Sequence, residues 1–355
     1  MKKTSDTARD YFLKHIRPFL RTVEEDMRLE SSILDDLGAR IGMSRDAVKE
    51  AARKYEYRYQ IFNNLGKDTA TWFSDELAAA FDDGRLFVGE VPLLSFNATV
   101  SCDDESYQGT LILLNRGFVN LINDIVKVMV SSFNVATTDF SKKRETPLKY
   151  TEGINTMLKL LATIKEGFRY VGPFDRFLSP SDLHYDLQGE FIFAIERYAI
   201  AHELAHISKG HIQQPDKFRV SIADSPVHVG INEHSHSQEL EADSFAAFLS
   251  VMDVALKFYK SIDNPIKRGL SKEEMFKLRG RVWGILGLHS ILRLLEKAAF
   301  GSDTLASHSH PCGRDREKNV RDILSGLSQR PFAFDISAAF DPFDKFLKDV
   351  YAKLS

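Results

Sequence analysis

The chain has 355 residues, of which 43% are hydrophobic and 27% are charged, and its formal net charge is −3. This length allows a large buried core, and the nearly balanced charge gives no electrostatic reason to expect a nucleic-acid, membrane-surface or acidic partner. The only cysteines, Cys102 and Cys312, cannot form a disulfide framework and suit a reducing compartment.

The amino-terminal segment is charged and helix-like, and it lacks the apolar core and small-residue cleavage site of a signal peptide. The most apolar span, residues 118–133, is interrupted by Asn120, Asp124 and Lys127 and is too short to cross a bilayer. We therefore expect a cytoplasmic protein without a membrane span, in which residues 118–133 form a core helix.

Residues 1–85 show helical spacing of apolar residues and no strand signal, which predicts a helical N-terminal region. Within it, residues 33–54 resemble a helix-turn-helix, with a glycine turn and a serine cap. An ordinary helical hairpin fits equally well, because the second helix would carry acidic as well as basic residues. The segment therefore does not by itself predict DNA binding.

Short apolar runs at 86–91, 93–100 and 109–114 predict a small antiparallel sheet at the start of a second domain, residues 86–355. One helix is expected from Gly117 onward, and more helices are expected after it. They are residues 152–168, 191–209, 237–252 and 272–299, with a final docking helix in the tail from 332 to 354. The fold class is α+β and mostly helical.

The helix at 191–209 carries His202, Glu203 and His206, and Gly210 is placed to end it. Residues four apart lie on one face of a helix, so the two imidazoles can bind one metal while Glu203 stands beside it. A surface location would not explain three polar residues in an alanine-rich, core-like helix, because buried polar groups need partners.

The next predicted helix, capped by Ser237, carries Glu239 and Asp243 on one face. Glu239 is favoured as the third ligand over Glu233, His234 and His236, because it alone has a same-face aspartate that can orient a liganding histidine. His236 is the second choice. Three protein ligands and an open position are typical of catalytic zinc, whereas structural zinc is usually closed by four ligands.

For the other histidines near this site, a location in a solvated or loop segment is favoured over metal binding. A third histidine ligand six residues beyond His206 is absent, and His211 is predicted to be a solvated helix-end residue. The interval 213–237 predicts a long loop or irregular hairpin, in which His228, His234 and His236 lie on a polar loop.

The motifs together resemble the HtpX and CAAX-prenyl-protease family of zinc metallopeptidases, which are gluzincins. Residues 201–207 resemble the family's active-site helix, and residues 239–243 resemble its Glu-x-x-Ala-Asp third-ligand motif. Residues 310–316 are similar to its His-Pro-x-x-x-x-Arg motif, and residues 96–99 and 109–118 to its edge strand and the strand that follows.

This resemblance implies a gluzincin-like metallopeptidase domain in which His310 assists the oxyanion or the substrate backbone. It also implies that Arg316 supports the ligand shell and that substrate pairs along the strand at Asn97 and Ala98. The short interval from His206 to Glu239 also resembles the ImmA/IrrE-type regulatory metallopeptidases, some of which carry a helix-turn-helix.

The sequence therefore predicts a cytoplasmic zinc metalloendopeptidase that hydrolyses a protein or peptide substrate. One Zn²⁺ per chain would be held by His202, His206 and Glu239, with Glu203 as general base and Asp243 as the orienting carboxylate. The alternatives are an ImmA/IrrE-like regulatory peptidase and a non-enzymatic, metal-containing regulator that binds DNA or protein.

Overall fold

A computed structural model describes residues 6–17, 44, 58–91, 98–104, 107–132, 150–165, 182–212, 218–221, 228–231, 234–260, 272–303, 311–328 and 336–354. Over these residues the protein is mostly helical, with a small parallel sheet and an antiparallel hairpin, so the mostly helical class is confirmed. The chain divides into two compact units. The first comprises residues 1–93, 99–116 and 214–232, and the second comprises the remaining segments.

The first unit contains the described strands and three helices. In chain order these are β1 (Asp6–Thr7), α1 (Ala8–Tyr11) with a π-helical continuation (Phe12–Ile16), α2 (Arg58–Ala70), α3 (Asp75–Asp82), β2 (Leu86–Val91), β3 (Ala98–Asp104, from Thr99 onward), β4 (Tyr107–Asn115), β5 (Phe218–Ser221) and β6 (His228–Ile231).

The four-stranded sheet is built around β4. Strand β2 pairs with it in parallel, from Leu86 opposite Thr110 to Val91 opposite Asn115, β1 also pairs with it in parallel, and β3 is a further partner. The predicted antiparallel sheet is therefore wrong, because β2 and β4 pair although β3 lies between them in sequence. Every residue of β2 is buried, including Glu90, and burial on both faces is typical of parallel strands.

Gly109 allows β4 to approach the start of β2. Its φ is +108°, and a Cβ atom there would lie 2.0 Å from the carbonyl oxygen of Arg85. That same oxygen accepts a hydrogen bond from the backbone N–H of Thr110 at 2.6 Å. A side chain at position 109 would therefore disrupt the register between β2 and β4.

The core of the first unit joins the first helical segment to β2 and β4. It contains Ala8, Tyr11, Phe12, Ile16, Phe87, Val91, Tyr107, Leu111 and Leu113. The region predicted to be helical, residues 1–85, contains α1 to α3 and also β1, which the apolar spacing did not predict. Apart from Ser44, the helical hairpin predicted at 33–54 lies outside the described residues.

The second unit is a helical assembly. It contains α4 (Arg116–Ser131, from Gly117 onward), α5 (Tyr150–Lys165), α6 (Asp182–Ser208), α7 (His236–Lys260), α8 (Lys272–Phe300), α9 (Gly313–Ser328) and α10 (Ile336–Ala352). Helices α7 and α8 pack against α6, and α9 packs against both α7 and α8. This packing places side by side the two motif helices, which are α6 with His202 and His206 and α7 with Glu239 and Asp243.

The predicted helices agree with the observed ones in type and differ at their ends. Helix α6 begins nine residues before the predicted Phe191, and α7 continues eight residues beyond the predicted Met252. The expected core helix is α4, whose residues Leu121, Ile125 and Val126 are buried. Among the described helices, none combines the length and apolar composition that crossing a bilayer requires.

Candidate metal centre

Helix α6 presents His202 and His206 near its carboxyl end. Gly210 has a φ of +68°, and its N–H bonds to the carbonyl of Ile207, so it ends the helix as predicted. The backbone N–H of His211 then bonds to the carbonyl of His206 at 2.9 Å. The chain therefore turns back toward His206, the second histidine of the motif, immediately after the helix.

Helix α7 presents Glu239 and Asp243 in its first two turns. Its cap is Ser235, whose hydroxyl accepts from the N–H of Gln238, while the Gln238 side chain accepts from the N–H of Ser235. This reciprocal arrangement is a capping box. The predicted cap, Ser237, is therefore wrong by two residues, and the face that carries the carboxylates is as predicted.

His202, His206 and Glu239 converge in the buried interior and form a group that could hold a metal ion. The Nε2 atoms of the two histidines are 3.1 Å apart, and they lie 3.4 and 3.5 Å from the carboxylate oxygens of Glu239. Donors at the corners of a tetrahedral site are separated by roughly 3.3 Å when metal–ligand bonds are about 2.0–2.1 Å. The donor set therefore fits a small tetrahedral cation such as zinc.

The other candidates for third ligand are not part of this group. His236 is half-buried at the start of α7, and His234 is buried with its ring stacked on that of His206, at 3.7 Å between centroids. Glu233 lies outside the described residues, and β6 contains His228 without a described side chain. The predicted polar loop is thus wrong for His228, which lies in β6, and for His236, which begins α7, while His234 lies between these elements but is buried. Strands β5 and β6 form the expected hairpin.

Asp243 is fully buried and is held by Arg316 from α9. Both carboxylate oxygens accept hydrogen bonds from the guanidinium, from Nε and from Nη2, each at 2.7 Å. Burial alone would raise the pKa of this carboxyl, but the charge of Arg316 outweighs it and holds the pKa far below its usual range. Asp243 is therefore ionised at neutral pH.

Asp243 also lies behind the first motif histidine, as predicted. Its Oδ1 is 3.0 Å from Nδ1 of His202, although the N–H direction misses the line needed for a full hydrogen bond. Burial opposes a charge on His202, but Asp243 and Glu239 outweigh it and raise its pKa to about 10. Burial, with the charge of His202, lowers the pKa of His206 to about 2.

Two buried residues that the sequence analysis missed extend this network. The hydroxyl of Tyr198 donates to Oδ1 of Asp243 at 3.1 Å and lies 2.8 Å from Nε2 of His289 on α8. Burial lowers the pKa of His289 to about 4, so the ring is neutral at pH 7 and can donate to the tyrosine oxygen. Tyr198 precedes His202 by four residues, and this spacing was a usable signal, whereas His289 had no local signal.

His211 is buried, so its prediction as a solvated residue is wrong. Its Nδ1 lies 3.1 Å from Nδ1 of His206, and its Nε2 lies 3.3 Å from the carboxylate of Glu241. Glu241 is half-exposed and also pairs with Lys209 at 3.1 Å. The second motif histidine therefore has a histidine partner where the first has an aspartate.

The remaining predicted site residues are only partly described. Glu203 is buried on α6 next to His202. His310 and Asn97 lie outside the described residues, and Ala98 is the first residue of β3. The substrate contacts and the role of His310 therefore stay predictions.

The chain matches no model of a known protein family, no curated protein and no solved structure.

We expect metal uptake to release about one proton from the histidine pair between pH 5.5 and 6.5. In the metal-free protein His202 is charged throughout this interval and His206 is neutral, because their pKa values of about 10 and 2 lie on either side of it. Metal binding needs both Nε2 atoms unprotonated, so only His202 loses a proton.

Calorimetric titration with zinc in buffers of different ionisation enthalpy measures this number. Two independent histidines with ordinary pKa values would release close to two protons at pH 5.5 and about one at pH 6.5. A release that falls in this way would contradict the assigned charge states.

Proposed function

We propose that the protein is a zinc-dependent metalloendopeptidase whose metal is held by His202, His206 and Glu239. The observation that carries the proposal is the spacing of these three buried donors, which fits one tetrahedral ion and leaves a fourth corner without a ligand from the described residues. Catalytic zinc sites keep such a position for water or substrate.

The chemistry of the donors favours zinc. Two imidazole nitrogens and one carboxylate oxygen suit zinc, whereas calcium and magnesium prefer oxygen ligands alone. A zinc ion bound here would polarise a carbonyl group and lower the pKa of a bound water toward neutrality. Metal identity is part of the proposal and is read directly by elemental analysis.

Glu203 is the proposed general base. It follows His202 in α6 and is buried, and a catalytic metal site of this kind needs a proton acceptor next to its ligands. It takes a proton from the attacking water and passes it to the amine that leaves when the peptide bond breaks. Asp243, held by Arg316, keeps Nδ1 of His202 protonated, so that Nε2 carries the lone pair for the metal.

The resemblance to the HtpX and CAAX-prenyl-protease family supports the same reaction and adds three assignments that rest on it alone. The three residues concerned are His310, which would assist the oxyanion or substrate backbone, and Asn97 and Ala98, along which substrate would pair. The substrate is a protein or peptide, and the site is expected to act in the cytoplasm.

A regulatory peptidase of the ImmA/IrrE type would have the same site chemistry and a different substrate. A non-enzymatic regulator would use the metal only to stabilise its fold. Among the described residues the donor group has three members, and Glu203 follows the first of them in sequence. This favours the enzyme, because a structural zinc site is usually closed by four ligands and needs no base.

The test is metal analysis of purified protein combined with identification of new protein termini in a cell extract. We expect about one zinc per chain, and we expect new termini that appear with zinc-loaded protein, disappear after chelation and return when zinc is restored. A protein that binds zinc and produces no new termini in any extract would contradict the peptidase proposal. A protein without zinc would contradict the site itself.

A further inference from the structure

The second motif histidine contacts a short series of side chains that ends at the protein surface. Nδ1 of His206 lies 3.1 Å from Nδ1 of His211, and Nε2 of His211 lies 3.3 Å from Oε2 of Glu241. His206 and His211 are both buried, whereas the Glu241 side chain is 49% exposed. The series therefore connects the buried donor group to a solvated carboxylate.

The end of α6 creates this arrangement. Gly210 adopts the left-handed conformation, and the backbone N–H of His211 bonds to the carbonyl of His206. Position 211 is thus folded back over the last turn of its own helix. Glu241 comes from α7, where it lies midway in sequence between Glu239 and Asp243. The two motif helices therefore supply the two ends of the series.

The metal site dictates the direction of these hydrogen bonds. When Nε2 of His206 serves as a ligand, the neutral ring carries its proton on Nδ1 and must donate from that atom. The atom within reach is Nδ1 of His211, which must then be an unprotonated acceptor. The proton of neutral His211 is consequently on Nε2, from which it donates to Glu241.

The two ligand histidines are thus supported differently. His202 faces Asp243, a fully buried carboxylate neutralised by Arg316. His206 faces a neutral ring whose other nitrogen is bonded to an exposed carboxylate, and the ring of His234 stacks on its face with an interplanar angle of 14°. Contact at the outer nitrogen and on the ring face together restrict how the His206 ring can rotate.

We propose that His211, oriented by Glu241, is the positioning residue for the metal ligand His206. It fixes the Nδ1–H tautomer and the ring orientation that direct Nε2 at the metal, and Glu241 polarises the His211 ring so that its Nδ1 is a better acceptor. The inference rests on the metal site of the proposed function. It concerns metal binding, and its test needs no substrate.

The decisive variant is His211→Phe, which keeps a flat ring and removes both hydrogen bonds. We expect the affinity for zinc, measured by competition with a chromophoric chelator, to fall about 10- to 100-fold. We also expect the visible absorption bands of the cobalt-substituted protein to shift, because the His206 ring changes its orientation toward the ion. A purely structural contribution of His211 would leave these bands in place.

Two further variants divide the effect between the two hydrogen bonds. His211→Asn restores an acceptor near the position of Nδ1 but does not reach Glu241, so its zinc affinity should lie between those of the wild type and His211→Phe. Glu241→Gln, at a half-exposed position that tolerates substitution, should weaken zinc binding less than His211→Phe does. It tests the proposal even if His211→Phe fails to fold.

Lys209→Gln is the matched control, because it removes the other ion-pair partner of Glu241 and leaves the contacts from His206 to Glu241 in place. It should bind zinc and cobalt like the wild type. Wild-type affinity and spectrum in His211→Phe, or an equal loss in Glu241→Gln and Lys209→Gln, would overturn the proposal. A wild-type protein that binds no zinc would overturn this inference and the metal site together, whereas a lack of peptidase activity alone would leave it intact.

Discussion

Replacing Glu203 with glutamine is expected to lower peptide-bond hydrolysis by about 10²- to 10⁴-fold while zinc remains bound. Glutamine has nearly the same shape as glutamate, but its amide cannot accept and return a proton at neutral pH. The donor group of His202, His206 and Glu239 does not include this residue, so the metal content should not change. The rate is measured on a substrate found among the new termini, and zinc is measured in the same preparation.

Glu196→Gln is the matched control for this variant. It makes the same chemical change in the same helix, six residues before the first ligand, and it should retain wild-type activity. Undiminished cleavage by Glu203→Gln would remove the general base from the mechanism. Loss of zinc together with activity would instead assign Glu203 to metal retention.

The same variant separates the enzyme from the non-enzymatic regulator. A regulator with a structural metal site does not depend on Glu203, so binding to its DNA or protein partner would be unchanged by glutamine. Tight sequence-specific DNA binding that survives Glu203→Gln, without any cleavage activity, would make the regulator the better description.

Replacing Arg316 with methionine is expected to reduce the free energy of unfolding by about 3–5 kcal/mol. The substitution leaves the carboxylate of Asp243 fully buried without the guanidinium that donates to both of its oxygens. Denaturant unfolding of the metal-free proteins measures the difference. The metal-free state is used because bound zinc would add its own stabilisation.

Arg314→Met is the matched control, two residues earlier in α9. Its side chain is 55% exposed, and its Nε lies 3.7 Å from the Asp315 carboxylate, a surface contact whose loss should change stability by at most about 0.5 kcal/mol. A double variant, Asp243→Leu with Arg316→Met, should recover part of the loss because no buried charge is left unpaired. Equal effects of Arg316→Met and Arg314→Met would contradict the role assigned to this ion pair.

The contribution of Asp243 should also show a defined pH dependence. Its folded-state pKa lies below the unfolded value, so the stabilisation is fully present above about pH 4 and is lost as the pH falls through the folded-state pKa. The difference between wild type and the double variant, which has no titrating group at position 243, should therefore be constant from neutral pH down to about pH 5. It should shrink only in more acidic solution.

The residues that the sequence analysis placed correctly share one property, which is short-range spacing on a helix. His202 and His206 are four apart, as are Glu239 and Asp243, and a regular helix puts each pair on one face wherever the helix lies. Gly210 ended its helix for an equally local reason. The assembly of the three-residue donor group was a hypothesis that the packing of α6 against α7 then satisfied.

The wrong predictions and the missed residues depend instead on contacts between parts of the chain that meet only in the folded protein. The parallel pairing of β2 with β4 depends on which strands meet, and neighbouring strands in sequence were assumed to be neighbours in space. His211 was interpreted as solvated because it follows a helix end, yet the chain folds back over the last turn, where His211 is buried and contacts Glu241 of α7. His289 reaches Tyr198 only because α8 packs against α6.

The sequence by itself determined the two motif helices, the faces on which their histidines and carboxylates lie, and the type of chemistry that those side chains can perform. These follow from the helical repeat and from the chemistry of imidazole and carboxylate groups, which are the same in any fold. The tertiary structure alone decided that Arg316 neutralises Asp243, that His211 supports His206 and that the small sheet is parallel. Those contacts join residues far apart in the chain, and their energies depend on burial that arises only when helices and strands pack together.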